Sequence, residues 1–167
     1  MTADNAQAFE RSIDMLDSSI REMRRVAHNL MPESLAKFGL DAALRDFCGD
    51  IHQTQVVQLS YQSLGMDDPK PLDQSVSVAV YRIVQELVSN AIKHAQAKQV
   101  LVQLAREKDQ LHLTVEDDGA GFDPKTLDQA KGIGWENIRS RVDFLKGTID
   151  LQSRPGQGTS VLIEIPV

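Results

Sequence analysis

The chain has 167 residues, 41% of them hydrophobic and 25% charged, which is ordinary for a globular protein with one good core. Its net charge of −6 argues against a broad nucleic-acid surface, which needs a basic footprint, and no apolar run reaches membrane-spanning length. Cys48 is the only cysteine, so an intramolecular disulfide is impossible, and the opening Met1-Thr2-Ala3-Asp4-Asn5 has neither the basic flank nor the apolar stretch of a signal peptide. A reducing, cytoplasmic setting is expected, and a longer membrane-anchored parent is compatible with it.

Phe9, Ile13, Leu16, Ile20, Met23, Ala27 and Leu30 are spaced alternately by four and three residues, which predicts a long helix with a single apolar seam. Glu10, Arg11, Asp14, Asp17, Arg21, Glu22, Arg24 and Arg25 clothe its other faces, and Pro32 breaks or kinks it. So narrow a seam requires partner helices. The sequence contains no second heptad helix of matching length, so the seam is expected to meet another chain, or a partner that has been removed.

Residues 40–52 read as a shorter helix with Leu40, Ala43, Leu44, Phe47 and Ile51 inward, and residues 55–61 as a strand with Val57, Leu59 and Tyr61 on one face. Residues 65–71 form a loop by their turn chemistry. The longest core helix is expected over residues 72–95, with Val76, Ala79, Val80, Ile83, Val84, Leu87, Ala91 and Ile92 apolar. Residues 99–105 and 110–116 read as adjacent strands joined by the polar turn 106–109. Residues 122–131 are polar and are expected to form a mobile lid. A helix follows over residues 135–146 with Ile138, Val142, Phe144 and Leu145 apolar, then a hairpin of residues 148–153 and 159–165. The expected fold class is α+β, a two-layer α/β sandwich behind a helical stalk, divided as 1–53 and 54–167.

On the long helix, Glu86, Asn90, Lys93 and His94 fall near one face, being four, seven and eight positions apart from the first. Lys93 and His94 taken singly also fit a plain solvated stripe. Magnesium takes oxygen ligands in an octahedron and keeps several waters, so the Asn90 amide oxygen plus triphosphate oxygens make a workable set. Glu86, one turn away, can polarise an incoming nucleophile or hold a water. Downstream, Asp117-Asp118-Gly119-Ala120-Gly121 places a carboxylate where it can accept a hydrogen bond from an adenine amino group, followed by glycines that let a ligand approach the backbone. By itself this segment also reads as an Asp-Gly turn. Gly132-Ile133-Gly134 precedes a helix whose free N–H groups can face phosphate. No βαβ unit surrounds it, which makes a dinucleotide fingerprint a poor reading. Gly156-Gln157-Gly158-Thr159 completes the series, although a Pro-Gly hairpin would look the same.

In this order the pieces resemble the ATP-binding domain of the GHKL superfamily, and most closely the catalytic domain of two-component sensor histidine kinases. The resemblance makes Glu86 to His94 the N box with Asn90 as magnesium ligand, Asp117, Gly119 and Gly121 the G1 box, Gly132 and Gly134 the G2 box, and Gly158-Thr159 the terminal glycine box. Arg139 and Arg141 in the following helix read more simply as surface or structural pairs than as catalytic groups. The run from His28 to Leu44 resembles the second helix of a dimerisation hairpin and its exit. In such kinases the phosphoacceptor His is followed by an acid; here Asn29 follows His28, and no His-acid pair occurs in the chain. The short lid points to the subfamily that usually phosphorylates LuxR-like response regulators.

The resemblance implies Mg·ATP as cofactor, γ-phosphoryl transfer to a histidine on a dimerisation helix, a response-regulator partner and a homodimer through the N-terminal helix of the full-length protein. Two rivals remain. An anti-sigma-factor serine kinase shares the superfamily, but lacks the long heptad stalk. A non-catalytic binding module is disfavoured by the intact Glu86, Asn90, Asp117 and glycine pairs.

Overall fold

The computed structural model describes residues 3–29, 32–126 and 134–167, with side chains at 3, 21, 22 and 24–29 outside that description. Helix α1 (Ala3–Asn29) is a single run of 27 residues. Its apolar seam faces outward, with Phe9 62%, Leu16 63% and Met23 64% exposed. The side chains of Ala27 and His28, and all of Leu30, lie outside the described residues.

Helix α2 (Glu33–Gln53) starts earlier than the expected residue 40, because one helical turn precedes a break at Gly39 (φ 85, ψ −177). Only glycine adopts that conformation readily. Beyond the break Leu40, Ala43, Leu44 and Cys48 are buried, and burial pushes the Cys48 thiol up to about 12. α2 thus packs into the same core as the sheet.

Strand β1 spans Gln58–Leu64 rather than residues 55–61. Gln55 takes a left-handed φ of 59 in leaving α2, which a strand does not tolerate, whereas Ser63 and Leu64 remain in register with Leu104 and Ala105. Tyr61 Oη donates to Asp41 Oδ1 at 2.8 Å, and Arg45 stands 5.4 Å over the Tyr61 ring, so α2 is tied to β1 by polar as well as apolar contacts.

Helix α3 (Gln74–Lys93) crosses from β1 to β2 (Gln99–Glu107), and that connection makes β1 and β2 parallel. β2 pairs antiparallel with β3 (Gln110–Asp117) through a two-residue turn in which Lys108 has φ 48. Arg106, expected in this turn, is instead a buried strand residue whose Nη1 donates to the Lys70 carbonyl at 2.6 Å. Helix α4 (Trp135–Phe144) leads to β4 (Thr148–Ser153) and β5 (Thr159–Pro166). Phe144, expected inward, is 73% exposed, because the helix ends there and the turn through Lys146 (φ 56) directs Leu145 inward instead.

The sheet order is β1-β2-β3-β5-β4, with every pair after the first antiparallel. Alternate residues such as Val100, Val102 and Leu104, or Leu111, Leu113 and Val115, are buried beneath the helices, while their neighbours face outward. The result is an α+β two-layer sandwich, as the sequence pattern predicts. It sets the C-terminal end of β3 and the N-terminal end of β5 beside the C-terminal half of α3.

Candidate functional site

The apolar stripe of α3 presses Ile83, Val84, Leu87, Val88 and Ala91 into the core, and the positions flanking that stripe fall at its margin. Glu86 and Asn90 are half-buried there; Lys93 and His94 are exposed. The helix closes on the Asn90 carbonyl, which accepts from the backbone N–H of His94 at 3.0 Å and of Ala95 at 3.1 Å.

Opposite, the last residue of β3 and the acid that follows it divide two tasks. Asp117 is half-buried, and its Oδ1 accepts from the Gly119 N–H at 2.8 Å. Burial raises its pKa, with the neighbouring Asp118 carboxylate adding to the effect and the Gly119 and Thr159 N–H groups opposing it. Asp118 is exposed, and its Oδ1 accepts from the Lys98 and Gln99 N–H groups, each at 2.8 Å, which hold its pKa low. Asp118 therefore fastens the β3 end to the loop leaving α3, and Asp117 is the carboxylate left for a ligand.

The loop after Asp117 lies directly on the β4–β5 hairpin. Gly156 N–H donates to the Ala120 carbonyl at 2.6 Å. A side chain at Gly121 (φ 63) would collide with the Arg154 carbonyl, and one at Gly158 (φ 74) with the Asp117 carbonyl. On the other flank a side chain at Gly134 (φ 68), the N-cap of α4, would collide with the Glu86 carboxylate. Residues far apart in sequence thus meet through missing side chains.

Between these elements is a cavity of about 160 Å³. Leu87, Ala91, Val115, Phe122, Trp135 and Val161 supply apolar wall, and Asn90, His94, Asp117 and Thr159 supply the polar groups. Of the residues the sequence singles out, Asn90, His94, Asp117, Gly121 and Thr159 line it; Glu86, Lys93, Gly119, Gly134 and Gly158 lie off its wall. Gly132 and residues 127–131 of the expected lid are outside the described residues. A larger groove of about 550 Å³ shares Asp117 and Thr159, but is open and lined mainly by polar residues of β4 and the hairpin. The smaller cavity has the chemistry of a flat heteroaromatic site, with apolar faces and a carboxylate to fix orientation.

Two wall residues are ones to which the sequence motifs give no direct ligand contact. Phe122 falls at the start of the expected lid, and Trp135 at the start of the helix that follows it. Trp135 is 7% exposed, and its indole N–H has no hydrogen-bond partner among the described residues. Among those residues no three acidic, His or Cys side chains converge on a metal position. The Asn90 amide on the cavity wall is a donor that suits magnesium only when phosphate oxygens and waters complete the shell.

Residues 75–167 match the family described as histidine kinase-, DNA gyrase B-, and HSP90-like ATPases. The chain belongs to this family. It is 29% identical over 153 residues to the signal transduction histidine-protein kinase/phosphatase DegS of Brevibacillus brevis, covering 92% of this chain and 39% of that protein. It is 30% identical over 165 residues to the sensor histidine kinase MctS of Rhizobium johnstonii, covering 98% and 35%. The chain therefore spans just over a third of the length of these curated relatives.

Among solved structures, the histidine kinase domain of the blue-light activated histidine kinase from Erythrobacter litoralis EL346 superposes with a TM-score of 0.61 at 26% identity, over 76% of this chain and 60% of that one. The catalytic domain of the histidine kinase ThkA shares the fold, with a TM-score of 0.57 at 17% identity over 77% and 92% of the two chains.

Proposed function

We propose that this chain is the Mg·ATP-binding catalytic part of a sensor histidine kinase and that it transfers the γ-phosphoryl group of ATP to a histidine on a dimerisation helix. The observation that carries the reading is the Asp117 carboxylate at the end of an apolar cavity whose rim holds Asn90, in a chain of this ATPase family. Both curated relatives are histidine kinases, which supports the reaction class.

Each residue has a role that its position allows. Asp117 accepts a hydrogen bond from the adenine amino group while Leu87, Val161 and Trp135 enclose the ring. Gly121, Gly158 and Thr159 keep the backbone close to that end of the ligand. Asn90 offers its amide oxygen to magnesium, which when bound neutralises phosphate charge and orients the triphosphate. The α4 N-terminus faces the phosphates with free N–H groups, and Lys93 and His94 add donors at the mouth. Glu86 accepts the proton of the attacking imidazole as its nitrogen bonds to the γ-phosphorus and the bond to the β–γ bridging oxygen breaks, releasing ADP. The division of the chain into residues 1–53, as dimerisation helix and linker, and 54–167, as catalytic domain, belongs to the same proposal. A response regulator would receive the phosphoryl group next, and full-length protomers would pair through α1.

Calorimetric titration with Mg·ATP, followed by phosphotransfer to a separate dimerisation fragment carrying a His-acid pair, tests this. Binding together with acid-labile label on that fragment is expected. Binding without transfer would reduce the chain to a nucleotide-binding module, and label on His28 of this chain would overturn the assignment of α1 as the second dimerisation helix.

A further inference from the structure

Ser153 is the last residue of β4, is 9% exposed, and carries a hydroxyl at the junction of three segments. Its Oγ accepts from the Phe122 N–H at 2.9 Å, lies 3.1 Å from the Gly158 carbonyl oxygen and 2.9 Å from Thr159 Oγ1. A hydroxyl has one proton and two lone pairs, so these contacts can be assigned by counting. The Gly158 carbonyl belongs to a buried residue, and the Ser153 hydroxyl is the donor that meets it among the described residues. A buried carbonyl left without a donor is costly, which places the Ser153 proton on Gly158. The Ser153 oxygen then accepts twice, from Phe122 N–H and from the Thr159 hydroxyl. The Thr159 proton is thereby spent, and Thr159 can offer the cavity only lone pairs.

We propose that Ser153 is a positioning residue that sets the donor–acceptor polarity of the nucleotide site by holding Thr159 as a hydrogen-bond acceptor beside Asp117. This rests on the reading of the cavity as an adenine site and deepens it. Asp117 and Thr159 both line the cavity and pair across β3 and β5. Two neighbouring acceptors favour an amino group on the ring and disfavour a carbonyl, whose lone pairs they repel. With one acceptor and one free hydroxyl rotor the preference would be weaker, because the rotor can turn to donate. Ser153 also joins the loop bearing Phe122 to the hairpin bearing Thr159, so one buried side chain aligns both walls.

The test compares ATP with inosine triphosphate, which has a carbonyl where adenine has its amino group. Magnesium is present throughout, and the temperature keeps every variant folded by circular dichroism. In Ser153→Ala the Thr159 hydroxyl is released, and the ATP-over-ITP affinity ratio is expected to fall about tenfold, the value of one ordinary hydrogen bond. Ser153→Thr, which retains the hydroxyl, is expected to restore the ratio. A purely structural role would weaken both nucleotides equally and leave the ratio unchanged, and that result overturns the proposal. Thr159→Val carries the same test where Ser153→Ala is too unstable: its ratio must collapse likewise, and an unchanged ratio again overturns the proposal. Failure of the wild-type chain to bind ATP would instead overturn the underlying reading of the site.

Discussion

Helices α1 and α3 carry the same kind of message in sequence and meet opposite fates. Both repeat apolar residues at helical spacing. In α3, Val80, Ile83, Val84 and Val88 are completely buried, at 0% exposure, while in α1 Phe9, Leu16 and Met23 remain more than half exposed. The difference is whether a second surface is supplied. Helix α3 packs on α2, α4 and the sheet, and burial of its stripe stabilises the core that in turn holds the cavity wall in place. α1 presents a seam that no described part of the chain covers, so its helix gains little from tertiary packing. Periodicity announces an amphipathic helix. It does not say what the helix packs against.

The largest effect separating the two regions should come from truncating one apolar side chain in each. Ile83→Ala removes a fully buried side chain and is expected to cost about 2–5 kcal/mol of stability by thermal or denaturant unfolding. Leu16→Ala should change the unfolding of the same domain by no more than about 0.5 kcal/mol. Comparable losses from the two would mean that α1 is packed in solution.

Within the cavity-bearing region, Asp117→Asn is expected to separate binding from stability. A hydrogen bond to a charged group contributes about 1.5–3 kcal/mol, so ATP affinity should fall roughly ten- to a hundredfold by calorimetry. Stability should move the other way. Because burial raises the folded-state pKa of Asp117, its ionised form opposes folding: the carboxyl's contribution is full below its ordinary value and is lost as pH rises through the raised one. The Asn variant should therefore be the more stable at neutral pH, with its advantage shrinking on acidification. Asp118, whose pKa is lowered, has the reverse dependence, supporting the fold above the ordinary value and ceasing to do so as pH falls. Unfolding curves of Asp117→Asn and Asp118→Asn that shift in the same direction with pH would contradict this division of labour.

Gly39 lies between the two regions, at a backbone conformation that costs other residues about 1–3 kcal/mol. No atom comes within 4 Å of a side chain added there, so Gly39→Ala should act through backbone strain alone. A loss in that range is expected from unfolding, with ATP affinity unchanged; an unaltered midpoint would show that the break relaxes freely.

The smallest effect is spectroscopic. Trp135 is the only tryptophan and lines the cavity, so its emission should shift when Mg·ATP enters. An unchanged spectrum at saturating nucleotide would remove Trp135 from the occupied wall.

Much of the site was legible in advance because its chemistry is local. Asp117 with its glycines, and Asn90 one turn after Glu86, are readable as short spacings of residues with restricted uses. The hairpin of β4 and β5 and the alternation of β3 are equally local, set by a period of two and by turn residues. What escaped was decided by contacts between distant segments. Ser153 is an unremarked strand-end serine until Phe122, Gly158 and Thr159 converge on its hydroxyl. Arg106 reads as a turn residue until the β2–β3 register carries it into the sheet and the Lys70 carbonyl receives its guanidinium. Phe144 and Leu145 both read as inward, but the helix terminus, placed by the return into β4, leaves Phe144 outside and buries Leu145 alone.

The sequence by itself determined the helices, the strands and the identity of the chemically capable residues, since dihedral preference and side-chain periodicity act over a few neighbours. Only the tertiary structure decided that Asp118 braces a loop. The two adjacent acids have the same intrinsic chemistry; alternation along β3 already puts Asp117 on the face of Leu113 and Val115, whereas the N–H groups of Lys98 and Gln99 reach Asp118 only because β2 and β3 pair side by side.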